Sequence, residues 1–214
     1  MTDYPKYARS ERIADAMMHG AGVLFAMGGT VVLIVLAALW TNPAEITSVA
    51  IYGAALILSF GASALYHFTP VEGWRPTLRR LDHAAIFFKI AGTYTPLVVL
   101  IGSAFGYVIL AVVWGLAVAG AIGKLFFWSR PGTGSLSLYL FLGWLSVFLI
   151  WSLFPVLPIA ATVLIAVGGL LYTTGVIFFN WERLRFSLAI WHGFVLAASI
   201  CFFSAISMGV LQST

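Results

Sequence analysis

The chemistry open to this sequence rests on a few polar residues set at the ends of long apolar runs. Ser63 and His67 stand four apart at the close of one run, Asp82 and His83 open the next, and His192 lies near the start of the last. Asp15 and His19, again four apart, open the first run. Residues at i and i+4 share a helix face, so each such pair presents two polar groups on one side. Imidazole nitrogen with carboxylate oxygen is a ligand set that suits zinc. A zinc with three protein ligands and a water yields a hydroxide nucleophile near neutral pH. Each residue taken singly has a plainer role. A helical serine usually bonds back to the carbonyl four residues earlier. Asp82 is favoured by the dipole at a helix start, or forms an interfacial pair with Arg79 or Arg80. Ionisable groups at membrane depth are costly and face the bundle interior with a partner. The common depth of these residues is therefore what raises the joint reading, a shared polar or metal site.

The elements that must position them are membrane spans. The chain is 62% hydrophobic and 8% charged, with mean hydropathy +1.03. A soluble domain carries about 25% charged residues, so this chain cannot clothe itself for water. A spanning helix needs about 20 mostly apolar residues, and seven stretches supply them: 16–40, 46–67, 82–101, 105–127, 137–154, 157–179 and 186–208. The expected fold is all-α, one integral-membrane domain over 1–214 made of seven transmembrane helices. The runs are apolar on every side, which argues against alternating barrel strands. Asn42-Pro43, Thr69-Pro70, Arg75-Pro76, Arg130-Pro131-Gly132 and Pro155 with Pro158 punctuate them. Gly20-Ala21-Gly22, Gly168-Gly169 and Gly175 read as close helix contacts, and Trp40, Trp128, Trp181 and Trp191 as interfacial anchors.

Charge sets the expected orientation. Lys6, Arg9, Arg12, Arg75, Arg79, Arg80, Lys124, Arg130, Arg183 and Arg185 fall on one side, and Lys89 alone is deep in a span. Basic loops stay inside, so the N-terminus is expected in the cytoplasm and the C-terminus outside. The net charge of +4 is then a topology signal, and nucleic acid is excluded as a partner. Lys89 lies two turns beyond Asp82 on one face, so a pair with Asp82 or a water-filled cavity is expected for it. Cys201 is the single cysteine, which excludes an internal disulfide. No cleavable signal is expected at the start, the first span serving for insertion.

The ordered blocks Glu11 through Asp15 to His19-Gly20, Ser63-Ala64-Leu65-Tyr66-His67, Leu81-Asp82-His83-Ala84-Ala85-Ile86, Gly92-Thr93-Tyr94-Thr95-Pro96, Gly169 through Gly175 and Ile190-Trp191-His192 carry a resemblance over nearly the whole chain. It resembles the bacterial haemolysin III-like proteins of the progestin and adipoQ receptor family. The resemblance implies seven spans with a cytoplasmic N-terminus and an intramembrane zinc near that side. It implies His67 and His192 as zinc ligands, Asp82 holding the water at the metal, and Ser63 beside the site. The family's third ligand position is Leu188 here, and Phe202 stands where a later histidine is frequent. Direct ligation by Asp82, or His83 turning inward, are the substitutes the sequence offers.

Three functions follow as expectations. One, implied by the resemblance, is a zinc-dependent intramembrane hydrolase of a lipid amide or ester, with Asp82 as general base and Ser63 orienting the oxyanion, serving membrane lipid homeostasis. The second is a non-enzymatic sensor of membrane state or pH, since histidine titrates near neutrality. The third is a pore-forming cytolysin, which the scarcity of charge within the spans argues against. Expected partners are membrane lipids, with a homo-oligomer open, in the bacterial plasma membrane.

Overall fold

The computed structural model describes residues 7–127, 133–181 and 183–212. Lys6, Trp128, Arg130 and Pro131-Gly132 lie outside the described residues. Seven helices are long and apolar enough to cross a membrane, and no strand occurs among the described residues. They are α1 (Arg9–Trp40), α2 (Pro43–Phe68), α3 (Arg75–Ile101), α4 (Ala104–Ile122), α5 (beginning Thr133–Trp144), α6 (Ile159–Asn180) and α7 (Ser187–Gln212). In a bilayer every backbone polar group must be satisfied internally, and unbroken apolar helices do that.

The boundaries follow from capping chemistry. The Asn42 side chain accepts from the N–H groups of Ala44 and Glu45 and donates to Glu45 at 2.7 Å, and Pro43 takes the first position of α2, where its missing N–H costs nothing. Gly102 closes α3 with φ 64°, a left-handed turn that glycine adopts without a Cβ clash. Ser103 then caps α4 through the Gly106 N–H. α1 and α3 begin at Arg9 and Arg75, earlier than the expected 16 and 82. Their first turns carry the polar residues that hydropathy alone assigns to loops. α4 runs on through a π turn at Gly123–Phe127. α5 passes into a 3-10 stretch at Leu145–Leu149 and one further turn, Ile150–Leu153.

The irregular middle of α5 has a partner. The Tyr94 hydroxyl lies 2.7 Å from the Leu142 carbonyl and 3.0 Å from that of Gly143, so the tyrosine of the Gly-Thr-Tyr-Thr-Pro block donates where α5 tightens. α1 packs between α2 and α7, α2 against α3, α3 against α4, and α6 against α7, and α3 also touches α5 and α7. α3 is the most enclosed of the seven. Of the small residues expected to bring helices together, Gly22 does so, because a Cβ there would strike the Phe60 ring. Gly168 does so beneath Phe202. Gly20 and Gly169 do not, since each faces open space.

Candidate metal centre

Three helices deliver the site. His19 sits nearly three turns into α1, His67 is the next-to-last residue of α2, and His192 lies in the second turn of α7. Their side chains are 3%, 6% and 11% exposed, and their ligating atoms all lie within 4.8 Å of one another. Ring centroids are 4.2 Å apart for His19 and His192, 4.8 Å for His19 and His67, and 4.9 Å for His67 and His192.

Asp15, one turn before His19, is the carboxylate among these rings. Its Oδ1 is 2.6 Å from His192 Nδ1, and its Oδ2 is 3.5 Å from both His19 Nε2 and His67 Nδ1. An ionised carboxylate only accepts hydrogen bonds. His192 therefore carries its proton on Nδ1, which leaves Nε2 with a free lone pair. That is the arrangement by which a carboxylate behind the ring orients a metal-ligating imidazole.

The residues fit a metal ion. His19 Nε2 is buried with no hydrogen-bond partner, and a buried polar atom left unpaired costs about 1–3 kcal/mol. A cation with imidazole affinity placed among the three rings would remove that cost. Three imidazoles also match the protein-ligand count of catalytic zinc sites.

The remaining candidates fall around this centre. Asp82, on α3, is buried, with the Ser63 hydroxyl turned toward its carboxylate and His19 and Asp15 within electrostatic reach. Asp82 does not belong to the group of converging ligand atoms. Nor does the His83 ring, which lies within electrostatic reach of Lys124 and Arg79; the His83 carbonyl accepts from the Tyr139 hydroxyl at 2.8 Å. Leu188 lies one turn before His192 on α7 and lines a small cavity beside Asp15 and His67. The nitrogen that Leu188 cannot supply is thus matched by His19, from the opposite end of the chain. Sequence reasoning placed His19 at the right depth and on the Asp15 face but gave it no role as a ligand. Lys89 corrects a second expectation. It is buried, forms no ion pair with Asp82, and stands 4.7 Å from the centre of the Phe60 ring and 5.1 Å from that of Tyr172.

Two openings reach the centre. The small cavity, of about 20 Å³, lies between α1, the end of α2 and the start of α7, where Glu11, Arg12, Asp15 and His67 line it. The other is a cleft of about 360 Å³ between α1 and α2. Glu11 holds the mouth of the first together: its carboxylate accepts from the Ala8 N–H and, across the bundle, from the Phe186 N–H, each at 2.9 Å. Phe186 has φ 62°, an uncommon conformation for a bulky residue.

Comparison with known proteins agrees with this architecture. Residues 7–203 match the family model described as "Haemolysin-III related". The chain is 38% identical to "Hemolysin-3 homolog" of Bacillus subtilis (strain 168), over 90% of this chain and 91% of that one. It is 36% identical to "Hemolysin-3" of Bacillus cereus, over 100% of this chain and 96% of that one. It is also 28% identical to the human "Monocyte to macrophage differentiation factor", over 73% of this chain and 67% of that one. A multi-pass protein of the bacterial inner membrane, the chain belongs to the haemolysin-III-related family.

Proposed function

We propose that this protein is a zinc-dependent hydrolase of a lipid amide or ester, working in membrane lipid homeostasis, with its metal held by His19, His67 and His192 near the cytoplasmic face. The observation that carries this reading is the convergence of three imidazoles whose ligating atoms all lie within 4.8 Å of one another, with His19 Nε2 making no hydrogen bond. Asp15 fixes the His192 ring through its Nδ1 proton. Zinc, when bound, supplies a Lewis acid that polarises a carbonyl and lowers the pKa of water. Asp82 is the general base: it accepts a proton from the attacking water as the water oxygen bonds to the lipid carbonyl carbon. Ser63 donates to the oxyanion that develops on the carbonyl oxygen. As the carbon–nitrogen or carbon–oxygen bond breaks, Asp82 returns the proton to the leaving atom, giving a carboxylic acid and an amine or alcohol.

The test is fatty-acid release from a lipid amide by protein purified in detergent without chelators. The reading expects release by the native protein, and loss in Asp82→Ala with zinc content retained. Release equal in the two proteins would reject Asp82 as the base. Sub-stoichiometric zinc that His67→Ala leaves unchanged would end the metal assignment.

The Asp15 carboxylate, within 3.5 Å of all three imidazoles, also favours a second, non-enzymatic reading. Without a metal the same cluster is a proton-binding unit that links α1, α2 and α7. A metal-free protein whose tryptophan fluorescence titrates near neutrality, and stops doing so in Asp15→Asn, would select this sensor reading over the hydrolase.

A further inference from the structure

The two openings differ in chemistry. The smaller one brings Glu11, Arg12, Asp15 and His67 together with Phe68, Phe186, Leu188 and Ala189, and its volume of about 20 Å³ holds about one water. The larger one, about 360 Å³, is walled by Ala16, His19, Gly20, Val23, Ala64 and Phe68. Its size falls at the lower end of the range of about 300–1,000 Å³ for ligand pockets. No charged residue lines it. Ala16, Gly20 and Val23 follow one face of α1, while Ala64 and Phe68 are four apart on α2, so the cleft is the seam between these helices. Its rim is apolar and outward-facing, with Met17 64%, Leu24 74% and Leu65 62% exposed. On a membrane span such a rim meets hydrocarbon and not water.

Phe68 joins the openings, with His19 beside it. His19, whose Nε2 faces the metal centre, forms the only polar wall of the cleft. Phe68 lines both cavities and stands edge-on to the His19 ring at 5.3 Å. The histidine cluster thus sits between a water-sized chamber that holds charged groups and a lipid-facing apolar slot.

We infer that the α1–α2 cleft is a binding site for the acyl chain of a bilayer lipid, which reaches the histidine centre sideways past Phe68 while water reaches it from the smaller chamber beside Glu11 and Arg12. The occupant is an acyl chain because the walls offer dispersion contacts, no counter-charge, and a rim continuous with the hydrocarbon surface. Gly20 lines the slot and is exposed, and a Cβ there would meet nothing within 4 Å, so a larger side chain can project across the slot without moving a helix. The inference rests on the hydrolase reading for the reaction at the end of the chain, and not for the chain's binding.

The experiment uses the full-length protein in nanodiscs containing a phospholipid with a photoactivatable diazirine in its acyl chain. Label sites are mapped by mass spectrometry, and zinc is measured on the same samples. Label is expected to concentrate on residues 16–23 and 64–68. Gly20→Trp should abolish that concentration while zinc content and melting temperature stay unchanged, and Gly20→Leu provides the same test if the tryptophan variant does not fold. Label spread evenly over exposed apolar faces such as that of α4, or concentration undiminished by both variants, would overturn the inference. A protein without zinc that still labels in the cleft would reject the hydrolase reading and leave this one standing.

Discussion

Asp15 and His192 meet at 2.6 Å although 177 positions separate them. The contact joins the first helix to the last, beside a third helix that adds His67. A short charge-assisted bond of this kind is about twice as strong as a neutral one. It also sets the tautomer of His192, so its loss is felt in metal affinity as well as in packing. Asp15→Asn is expected to weaken zinc binding by about 10–100-fold, the usual cost of removing a second-shell partner. Competition against a chelator of known affinity measures this, and an unchanged affinity would show that Asp15 does not orient the ligand.

His19 replaces what Leu188 cannot offer. His19→Ala should lose stoichiometric zinc. Adding Leu188→His to that variant should restore it, because positions 188 and 192 are i,i+4 on one face of α7. Metal analysis of the three proteins decides the matter; full occupancy in His19→Ala would remove His19 from the ligand set.

Zinc affinity should depend on pH in one direction. Imidazole ligands bind metal only when neutral, and histidine has an unperturbed pKa of about 6.5. Lowering the pH from about 7 to about 5 makes protons compete for the same lone pairs, so affinity falls. Isothermal titration in buffers of different ionisation enthalpy would also detect proton release on binding. Affinity constant across that range would mean that histidines are not the ligands.

Lys89 carries a charge with no carboxylate partner among the described residues. Ring contacts with Phe60 and Tyr172 offset part of its burial, by about 2 kcal/mol at best. Lys89→Met keeps the stem's volume and removes the charge, and a melting temperature equal to or above that of the native protein is expected. A clear drop would reveal a stabilising partner for the ammonium.

Tyr94→Phe removes the hydroxyl that faces the Leu142 and Gly143 carbonyls. A typical hydrogen bond contributes about 0.5–1.5 kcal/mol, so a lowered melting temperature with unchanged zinc content is expected. Loss of zinc as well would mean that the middle of α5 is coupled to the metal centre.

Much of the fold was legible because hydropathy reports directly on which residues lipid accepts. The span ends were less so, since Arg9–Glu11 and Arg75–Arg80 are helical yet too polar to register. Depth was legible for the site too: Asp15, His19, His67, Asp82 and His192 all lie toward one end of the bundle, as their places in the spans imply. Direction around each helix was not. Periodicity places Lys89 on the Asp82 face of α3 but cannot say that Phe60 and Tyr172 come to meet it. The place of His19 among the converging imidazoles was hidden by expecting the third nitrogen on α7, where Leu188 stands. The cleft beside Gly20 had no signal at all, because a void is defined by side chains that fall short.

Glu11 receives one N–H from the very start of α1 and another from Phe186, just ahead of α7. During synthesis the first helix leaves the ribosome long before Phe186 exists. Its carboxylate therefore waits, half satisfied, until the closing segment arrives. A polypeptide that stops before Phe186 lacks that clasp and the last imidazole together, so the three-histidine cluster closes only once the start of the last helix has been made.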